Sequence, residues 1–193
     1  MPKKTNQVLQ WLSGGDLRSD GLSNEAAEFI LENPVVFEDL FEGLKSPNDV
    51  IRGRTADAIE KVAREKPEIL INRLSELVII AKNDQVAMVK MHLAMTFGHL
   101  VACDEYIEEI ESVLKFLLDD ESVFTKSWAI ASLCIIGKKY PSKRKPIFES
   151  IAKYHSNSSV AIRTRVRKAI ELLGNDDAKF PNGWVKSIHL SDL

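Results

Sequence analysis

Apolar residues recur along most of the chain with the period of an α-helix, and short polar turns interrupt them at regular intervals. Four of these turns each lead into an apolar-periodic segment, and the first valine after each turn marks the spacing. Val50, Val86, Val123 and Val160 lie 36, 37 and 37 residues apart. A repeat of this length is typical of stacked helix pairs. The pattern therefore predicts an all-α repeat array.

Each segment after a turn has one apolar face, as Ile51, Thr55, Ala58 and Ile59 show in the first copy. An upstream helix with the same period precedes each segment, so every repeat is predicted to be a helical hairpin. Pro34 and Pro67 occupy predicted first helical positions, where proline fits because its missing N–H would be unpaired anyway. Pro141 is predicted to end the second helix of the third pair, and the next helix is predicted over residues 145–155. The predicted N-caps of the four second helices are Asp49, Asp84, Asp120 and Ser158.

A single helix pair cannot bury both of its apolar faces, so neighbouring pairs must stack into one continuous core. The predicted organisation is a helical cap at residues 1–33, about four pairs over 34–174, and a tail at 175–193 without sustained period. That tail either packs back on the array or hangs free. The four predicted pairs span about 34–66, 67–103, 104–141 and 142–174.

The second helices resemble those of the HEAT-repeat family, in which a valine or isoleucine, a basic residue and then small residues follow one another. The resemblance covers residues 34–174, and Thr125 departs from it where the family prefers valine. It implies a right-handed α-solenoid that serves as a binding scaffold, and it names no partner. The matching residues are Ile51, Arg52, Ala56, Ala58 and Ile59; Val89, Lys90 and Ala94; Lys126 and Ala129; and Ile162, Arg163, Ala169 and Ile170.

Composition agrees with a folded helical protein, since 45% of the 193 residues are hydrophobic and 28% are charged. Cys103 and Cys134 lie inside apolar helical patterns, which favours free thiols and a cytoplasmic location. The first ten residues lack the apolar stretch of a signal peptide. No apolar run reaches the ~18 to 20 residues that span a bilayer, so no membrane partner is expected.

Charge is uneven along the chain, although the net charge is only −2. Residues 104–122 carry a formal charge of −7, and residues 138–168 carry +9. A basic surface of this kind could bind an acidic protein tail or nucleic acid, and the alternative is a solvated face that balances the acidic neighbour. The candidate residues are Lys138, Lys139, Lys143, Arg144, Lys145, Lys153, Arg163, Arg165, Arg167 and Lys168.

A second basic set, Arg52, Lys90, Lys126 and Arg163, recurs once in each second helix. These side chains could follow a phosphate backbone. The HEAT resemblance implies instead an inter-repeat ladder in which each base pairs with a turn aspartate such as Asp49 or Asp84. We favour the ladder, because four cations make a small footprint for a nucleic acid.

Trp128 is a candidate aromatic contact for a base or a peptide, and the alternative is a partly buried core residue. Trp11 and Trp184 are predicted to cover the ends of the core. His92, His99 and Cys103 share one helical face, and Cys134 could lie near them in the next repeat. A zinc site there is disfavoured, because the tight spacing and nearby carboxylates of helical zinc sites are missing.

No catalytic motif is recognisable: the sequence has no phosphate-binding glycine loop, no Gly-x-Ser-x-Gly and no CxxC. We therefore predict a non-catalytic scaffold for a protein partner, with no cofactor and no metal. The alternative is a nucleic-acid-binding protein that uses the basic C-terminal repeats. A repeat-type DNA glycosylase is less favoured, because Trp128 has no acidic residue within a helical turn.

Overall fold

The structure is a computed structural model that describes residues 7–193. The first six residues, which belong to the predicted cap and to the stretch examined for a signal peptide, lie outside the described part. Residues 7–193 contain eleven α-helices, four 3₁₀ turns and no strand. The α-helices are α1 (Gln7–Trp11), α2 (Ser23–Glu32), α3 (Phe37–Phe41), α4 (Asp49–Glu65), α5 (Glu68–Ile71), α6 (Leu74–Asn83), α7 (Ala87–Leu100), α8 (Ile107–Leu117), α9 (Val123–Lys139), α10 (Pro141–Ala152) and α11 (Val160–Gly174). The 3₁₀ turns are Pro34–Val36, Glu42–Lys45, Val101–Cys103 and Ile188–Leu190.

The helices form two layers. The second helices lie side by side in the order α2, α4, α7, α9, α11, and the shorter helices α3, α6, α8 and α10 form an outer layer against them. Helices α7 and α9 are buried on nearly every side over most of their length, because they have neighbours on both flanks as well as outside. The apolar core therefore continues from the cap through the last pair. None of the described helices has the length and apolar character needed to cross a bilayer.

The N-caps differ from those predicted: α4 begins one residue earlier, α9 and α11 begin one or two residues later, and α7 has no side-chain cap. Asn48 caps α4 by accepting from the N–H groups of Val50 (2.8 Å) and Ile51 (3.4 Å), so Asp49 is already helical. Ser122 and Ser159 cap α9 and α11. The predicted caps Asp120 and Ser158 thus lie one or two residues too early.

Asp84 was also predicted as a cap, but α7 has no side-chain cap and begins after Val86. The Asp84 carboxylate instead accepts from the Val86 N–H at 2.7 Å, which closes a turn before the helix. Asp120 does the same for the N–H of Ser122, and Asn157 for that of Ser159. A repeated turn of this type therefore precedes the last three second helices.

Pro141 both follows α9 and begins α10, in which it is the first residue. Helix α10 thus starts four residues before the predicted position, and Pro146 lies inside it. Proline suits the first turn because its fixed φ is already helical. Pro146 removes one backbone donor from the helix interior without ending the helix.

The glycine-punctuated loop of the cap encloses the side chain of Arg54 from α4. The guanidinium is 4% exposed and donates to five carbonyl groups of the loop at distances of 2.7 to 3.2 Å. Gly21 has φ +58, and a Cβ there would lie 2.8 Å from the guanidinium. Close approach of the loop to Arg54 therefore requires glycine at this position. The five acceptors belong to Leu12, Ser13, Gly14, Asp16 and Ser19.

The tail after α11 packs back on the array. Trp184 and Leu190 are 5% and 4% exposed and belong to the core. The Ser187 hydroxyl donates to the Arg64 carbonyl (3.2 Å), and the His189 ring bonds the Glu65 carbonyl (2.7 Å). The tail therefore runs from the last pair to the end of α4 in the first pair. At the other end of the array, Trp11 packs edge-on against Phe29 at 5.4 Å.

Candidate functional site

One residue of each second helix in the repeat array lies on the side that carries the tail and the cap loop. We call this side the inner face. These residues are Arg54, Met91, Trp128 and Arg165, each 37 residues from the next. The cap loop encloses Arg54, whereas the other three line open cavities. The cavities follow one another along the N-terminal halves of α7, α9 and α11, and we call them together the inner furrow.

The middle of the inner furrow is apolar. A cavity of about 280 Å³ lies between α7 and α9, lined by Ala87, Met88, Met91, Ser122 and Phe124. Phe124 keeps 69% of its surface exposed although it is a large apolar side chain. Methionine side chains adapt their shape readily, so this part of the furrow suits an apolar side chain of a partner.

The end of the inner furrow nearest α11 is cationic and aromatic. The Arg165 guanidinium lies 4.6 Å from the Trp184 ring centre and 5.4 Å from that of Trp128. The Lys186 ammonium lies 4.9 Å from the Trp128 ring. Lys168 lines the same cavity of about 500 Å³. Within residues 7–193, none of these three cations forms an ion pair or a side-chain hydrogen bond, and burial lowers the pKa of Arg165 and of Lys186.

Beyond the apolar middle lies a buried polar cluster between α2, α4 and α7. Asp57 accepts from the Ser23 hydroxyl (2.5 Å) and from Lys61 (2.8 Å). Glu60 accepts from His99 Nε2 (2.8 Å) and from Arg64 (2.9 Å). Each carboxylate is therefore neutralised by a cation of its own helix.

Hydrogen bonds and charge decide the protonation of this cluster. Burial opposes the ionisation of Glu60, but the hydrogen bonds from His99 and Arg64 outweigh it and lower the pKa of Glu60 to about 2. Burial also lowers the pKa of His99 and of His92, despite the carboxylates beside them. At neutral pH Glu60 is therefore ionised and the two imidazoles are neutral, and His99 Nε2 donates to Glu60.

The disfavoured zinc set is not gathered by the fold. In the described part of the chain, the residues that could offer ligand atoms to one ion are Asp57, Glu60 and His92, whose atoms lie within 4.8 Å of one another. An ion there would have to displace Lys61 and Arg64 from the carboxylates. Cys134 lies elsewhere in the core, where burial raises its pKa.

The residues of the inter-repeat ladder lie at the turns between repeats. The Arg52 guanidinium bonds Asp84 of the next repeat (2.8 Å) and Asp49 of its own (2.8 Å), and Lys90 bonds Asp120. The next turn carries Asn157 in place of an aspartate, and the Lys126 ammonium lies 5.2 Å from the Tyr154 ring. Arg163 donates to the carbonyls of Asn157 (2.7 Å) and Ser158 (2.9 Å).

The ten residues of the predicted basic surface do not converge on one place. Lys139 bonds Asp104 (2.7 Å), and Lys143 bonds Glu108 and Glu111 (2.5 and 2.8 Å), so part of the acidic run neutralises part of the basic run. Lys138 donates to tail carbonyls, and Arg144 pairs with Asp176 of the tail. Arg165 faces the inner furrow. Of the ten, the exposed cations with neither an ion pair nor a side-chain hydrogen bond among residues 7–193 are Lys145, Lys153, Arg167 and Lys168.

Sequence analysis missed three residues of the inner furrow: Met91, Phe124 and Lys186. The spacing of 37 residues that connects Met91 with Trp128 and Arg165 was available in the sequence. It was hidden because these side chains differ in chemistry and the helix faces were assigned from apolar residues alone. Lys186 could not be placed, because the tail shows no periodicity that predicts where it docks.

Neither a protein-family model nor a curated protein matches this sequence. Solved structures do match its fold. A designed armadillo repeat protein, solved in complex with the peptide (KR)4, aligns with a TM-score of 0.61 at 18% identity, over 87% of this chain and 81% of its own. Two engineered proteins align with TM-scores of 0.60 and 0.58 at 15% and 17% identity. They cover 88% and 87% of this chain and 78% and 80% of theirs. The chain is thus an all-helical repeat solenoid.

Proposed function

We propose that this protein is a non-catalytic binding scaffold whose inner furrow holds an extended segment of a protein partner. The observation that carries the proposal is the docking of the chain's own tail. Residues 175–187 contain no helix, yet this segment lies along the inner face with Trp184 buried. A face that accommodates irregular polypeptide in this way can accommodate a second strand beside it.

The exposed apolar middle of the furrow gives such a segment a place to bury a side chain. The (KR)4 peptide bound by the designed armadillo repeat protein supports peptide binding as a use of this architecture. We also propose that the chain is a HEAT-repeat protein, that its four pairs have the boundaries predicted from the sequence, and that it is cytoplasmic.

A nucleic-acid-binding role is less well supported by the geometry. Phosphate tracking needs cations along one path, whereas the basic residues here are divided among the repeat turns, the acidic helix α8 and the tail. A glycosylase-like site is also less well supported. The carboxylates of the buried cluster, Asp57 and Glu60, are engaged by Lys61, Arg64 and His99.

The proposal is tested by selecting random dodecapeptides displayed on phage against the full chain and measuring the affinity of the enriched peptides. Phe124→Ser removes the exposed apolar side chain of the furrow, and we expect it to weaken those peptides about tenfold. The matched control is Phe116→Ser, because Phe116 is 52% exposed on the outer helix α8.

Equal losses in both variants, or enrichment of no peptide above background, would contradict the proposal. If single-stranded or duplex oligonucleotides displaced every enriched peptide, the furrow would be a nucleic-acid-binding site instead. Circular dichroism spectra that superimpose for the three proteins ensure that affinity rather than folding is compared.

A further inference from the structure

We infer that the pocket around Arg165 is an anion site that anchors a carboxylate of the bound protein segment, an inference that rests on the proposed function. The segment would carry an aspartate or glutamate near an apolar residue. The pocket is lined by Arg165, Trp128, Trp184 and Lys168, and the Lys186 ammonium lies 4.9 Å from the Trp128 ring. Its positive charge comes from two parts of the fold, since Arg165 and Lys168 belong to α11 and Lys186 belongs to the tail.

The two indoles fix the plane of the guanidinium. Arg165 lies between Trp128 and Trp184, both within 6 Å, and stacking of this kind restricts its orientation. Its hydrogen-bond donors have no acceptor among residues 7–193, and the half-buried side chain leaves them open to the cavity. A planar fork of donors that is held in place and left without acceptors matches the two oxygens of a carboxylate.

Arg54 and Arg165 occupy equivalent positions three repeats apart, and the contrast between them strengthens the inference. Arg54 satisfies its donors with five loop carbonyls. Arg165 has a tail beside it but receives no carbonyl from it. The tail contributes Lys186 over the Trp128 ring instead, and this ammonium is also attracted by Glu60 and Asp57, so the acceptor that Arg165 lacks is left to an external anion.

The same geometry favours a carboxylate on a protein over a nucleic acid. A base would bind by stacking on Trp128, but Arg165 and Lys186 already lie over that ring. Arg165 and Lys168 line one cavity instead of following a line of phosphates. One acidic side chain therefore fits the pocket better than a polynucleotide.

The position of the apolar cavity relative to the anion pocket sets the spacing between the apolar and the acidic side chain of the bound segment. That cavity lies between α7 and α9, and the anion pocket lies between α9 and α11. Adjacent packed helices lie about 8 to 10 Å apart, and an extended peptide advances about 3.3 Å per residue. The acidic and apolar side chains should therefore be about three residues apart.

The test is a double-mutant cycle on the full chain, with peptides enriched by the selection described above. We expect those peptides to contain an acidic residue about three positions from an apolar one. Glu→Gln or Asp→Asn in the peptide should weaken binding to the wild type about tenfold or more. The same peptide change should have a clearly smaller effect on binding to Arg165→Met, because the guanidinium that pairs with the carboxylate is gone and only the lysine charges remain.

Arg165→Met keeps an unbranched side chain between the indoles, and Arg165→Lys keeps the charge but loses the fork, so its affinity should be intermediate. Arg167→Met is the matched control, because Arg167 is exposed and points away from Arg165 on the same helix. In Arg167→Met the peptide change should weaken binding as much as it does in the wild type, so this cycle should show no coupling.

Three outcomes separate this inference from the proposed function. Peptides that bind, lose affinity in Phe124→Ser and show no dependence on an acidic residue would overturn the anion site alone. An unchanged effect of Glu→Gln in Arg165→Met would also overturn it, since the carboxylate would then bind elsewhere. Failure of any peptide to bind would overturn the proposed function and the anion site with it.

Discussion

At the residue scale, buried charge in this protein is compensated by partners that lie far away in the sequence. Arg54 is held by carbonyls 35 to 42 residues upstream, and Glu60 by a histidine 39 residues downstream. Neither partner could be predicted from local spacing, because both contacts form only when the repeats stack. The sequence predicted that Arg54 and Glu60 lie on a helix but not that they are buried.

The Glu60 and His99 pair should make stability depend on pH. His99 has a pKa below its ordinary 6.5, so the unfolded chain binds the proton more strongly and stability decreases as the pH falls below 6.5. Glu60 ionises with a pKa of about 2 instead of 4.5, so its contribution is complete above 4.5 and is lost as the pH falls toward 2. That loss is on the order of 3 kcal/mol.

Urea unfolding at a series of pH values measures both effects. In Glu60→Gln the decrease between pH 4.5 and 2 should become smaller, and in His99→Gln the decrease below 6.5 should become smaller, with His92 accounting for the remainder. Glu65→Gln is the control, because Glu65 is exposed on the same helix. Identical profiles for Glu60→Gln and the wild type would contradict the assignment.

At the scale of elements, the turns before the second helices combine a backbone function with an ion pair between repeats. Asp84 accepts the Val86 N–H with one oxygen and pairs with Arg52 of the preceding repeat. Asp84 is 7% exposed, whereas Asp49, the other partner of Arg52, is 65% exposed. The two carboxylates therefore contribute differently, although they contact the same guanidinium.

We expect Asp84→Ala to lower the free energy of unfolding by about 2 kcal/mol or more, because it leaves a buried amide and a largely buried guanidinium without their acceptor. Asp49→Ala should cost less than about 1 kcal/mol, since water screens an exposed pair. Urea unfolding of the two variants and the wild type gives the comparison. Equal losses would show that Asp84 acts only as one of two exchangeable partners of Arg52.

Much of this element-level organisation could be predicted from the sequence, because helical periodicity and the 37-residue repeat are local signals. The helix starts were less accurate. An acidic residue at each of these turns was predicted to be the N-cap. In two of the turns that residue instead closes a turn just before the helix, and the helix is capped by a serine in α9 and by no side chain in α7. Pro141 is ambiguous for a similar reason, since proline can follow one helix and begin the next.

At the scale of the whole molecule, the tail connects repeats that are not neighbours. In a simple repeat array each unit contacts only the adjacent ones, so the ends can open independently. Here Trp184 packs on Arg165 of α11, while Ser187 and His189 bond the last carbonyls of α4. The sequence left open whether the tail packs or hangs free. A segment without periodicity has no recognisable apolar face from which its docking could be predicted.

The tail should therefore make the two ends of the array unfold together. In the wild type we expect backbone amides of α4 and α11 to exchange hydrogen with similar free energies, close to the global value. Trp184→Ala removes an indole that is 5% exposed and should cost about 3 kcal/mol. The loss should fall mainly on α11, so that its amides exchange with a lower free energy than those of α4.

Native-state hydrogen exchange resolved by residue measures this difference directly. Trp11→Ala is the matched variant, because it removes an indole from the opposite end, where Trp11 packs on Phe29 of α2. Its loss of protection should appear in α2 and leave α11 unaffected. If α4 and α11 still exchange alike in Trp184→Ala, the stacked helices alone couple the ends, and the tail serves only to cover the inner face.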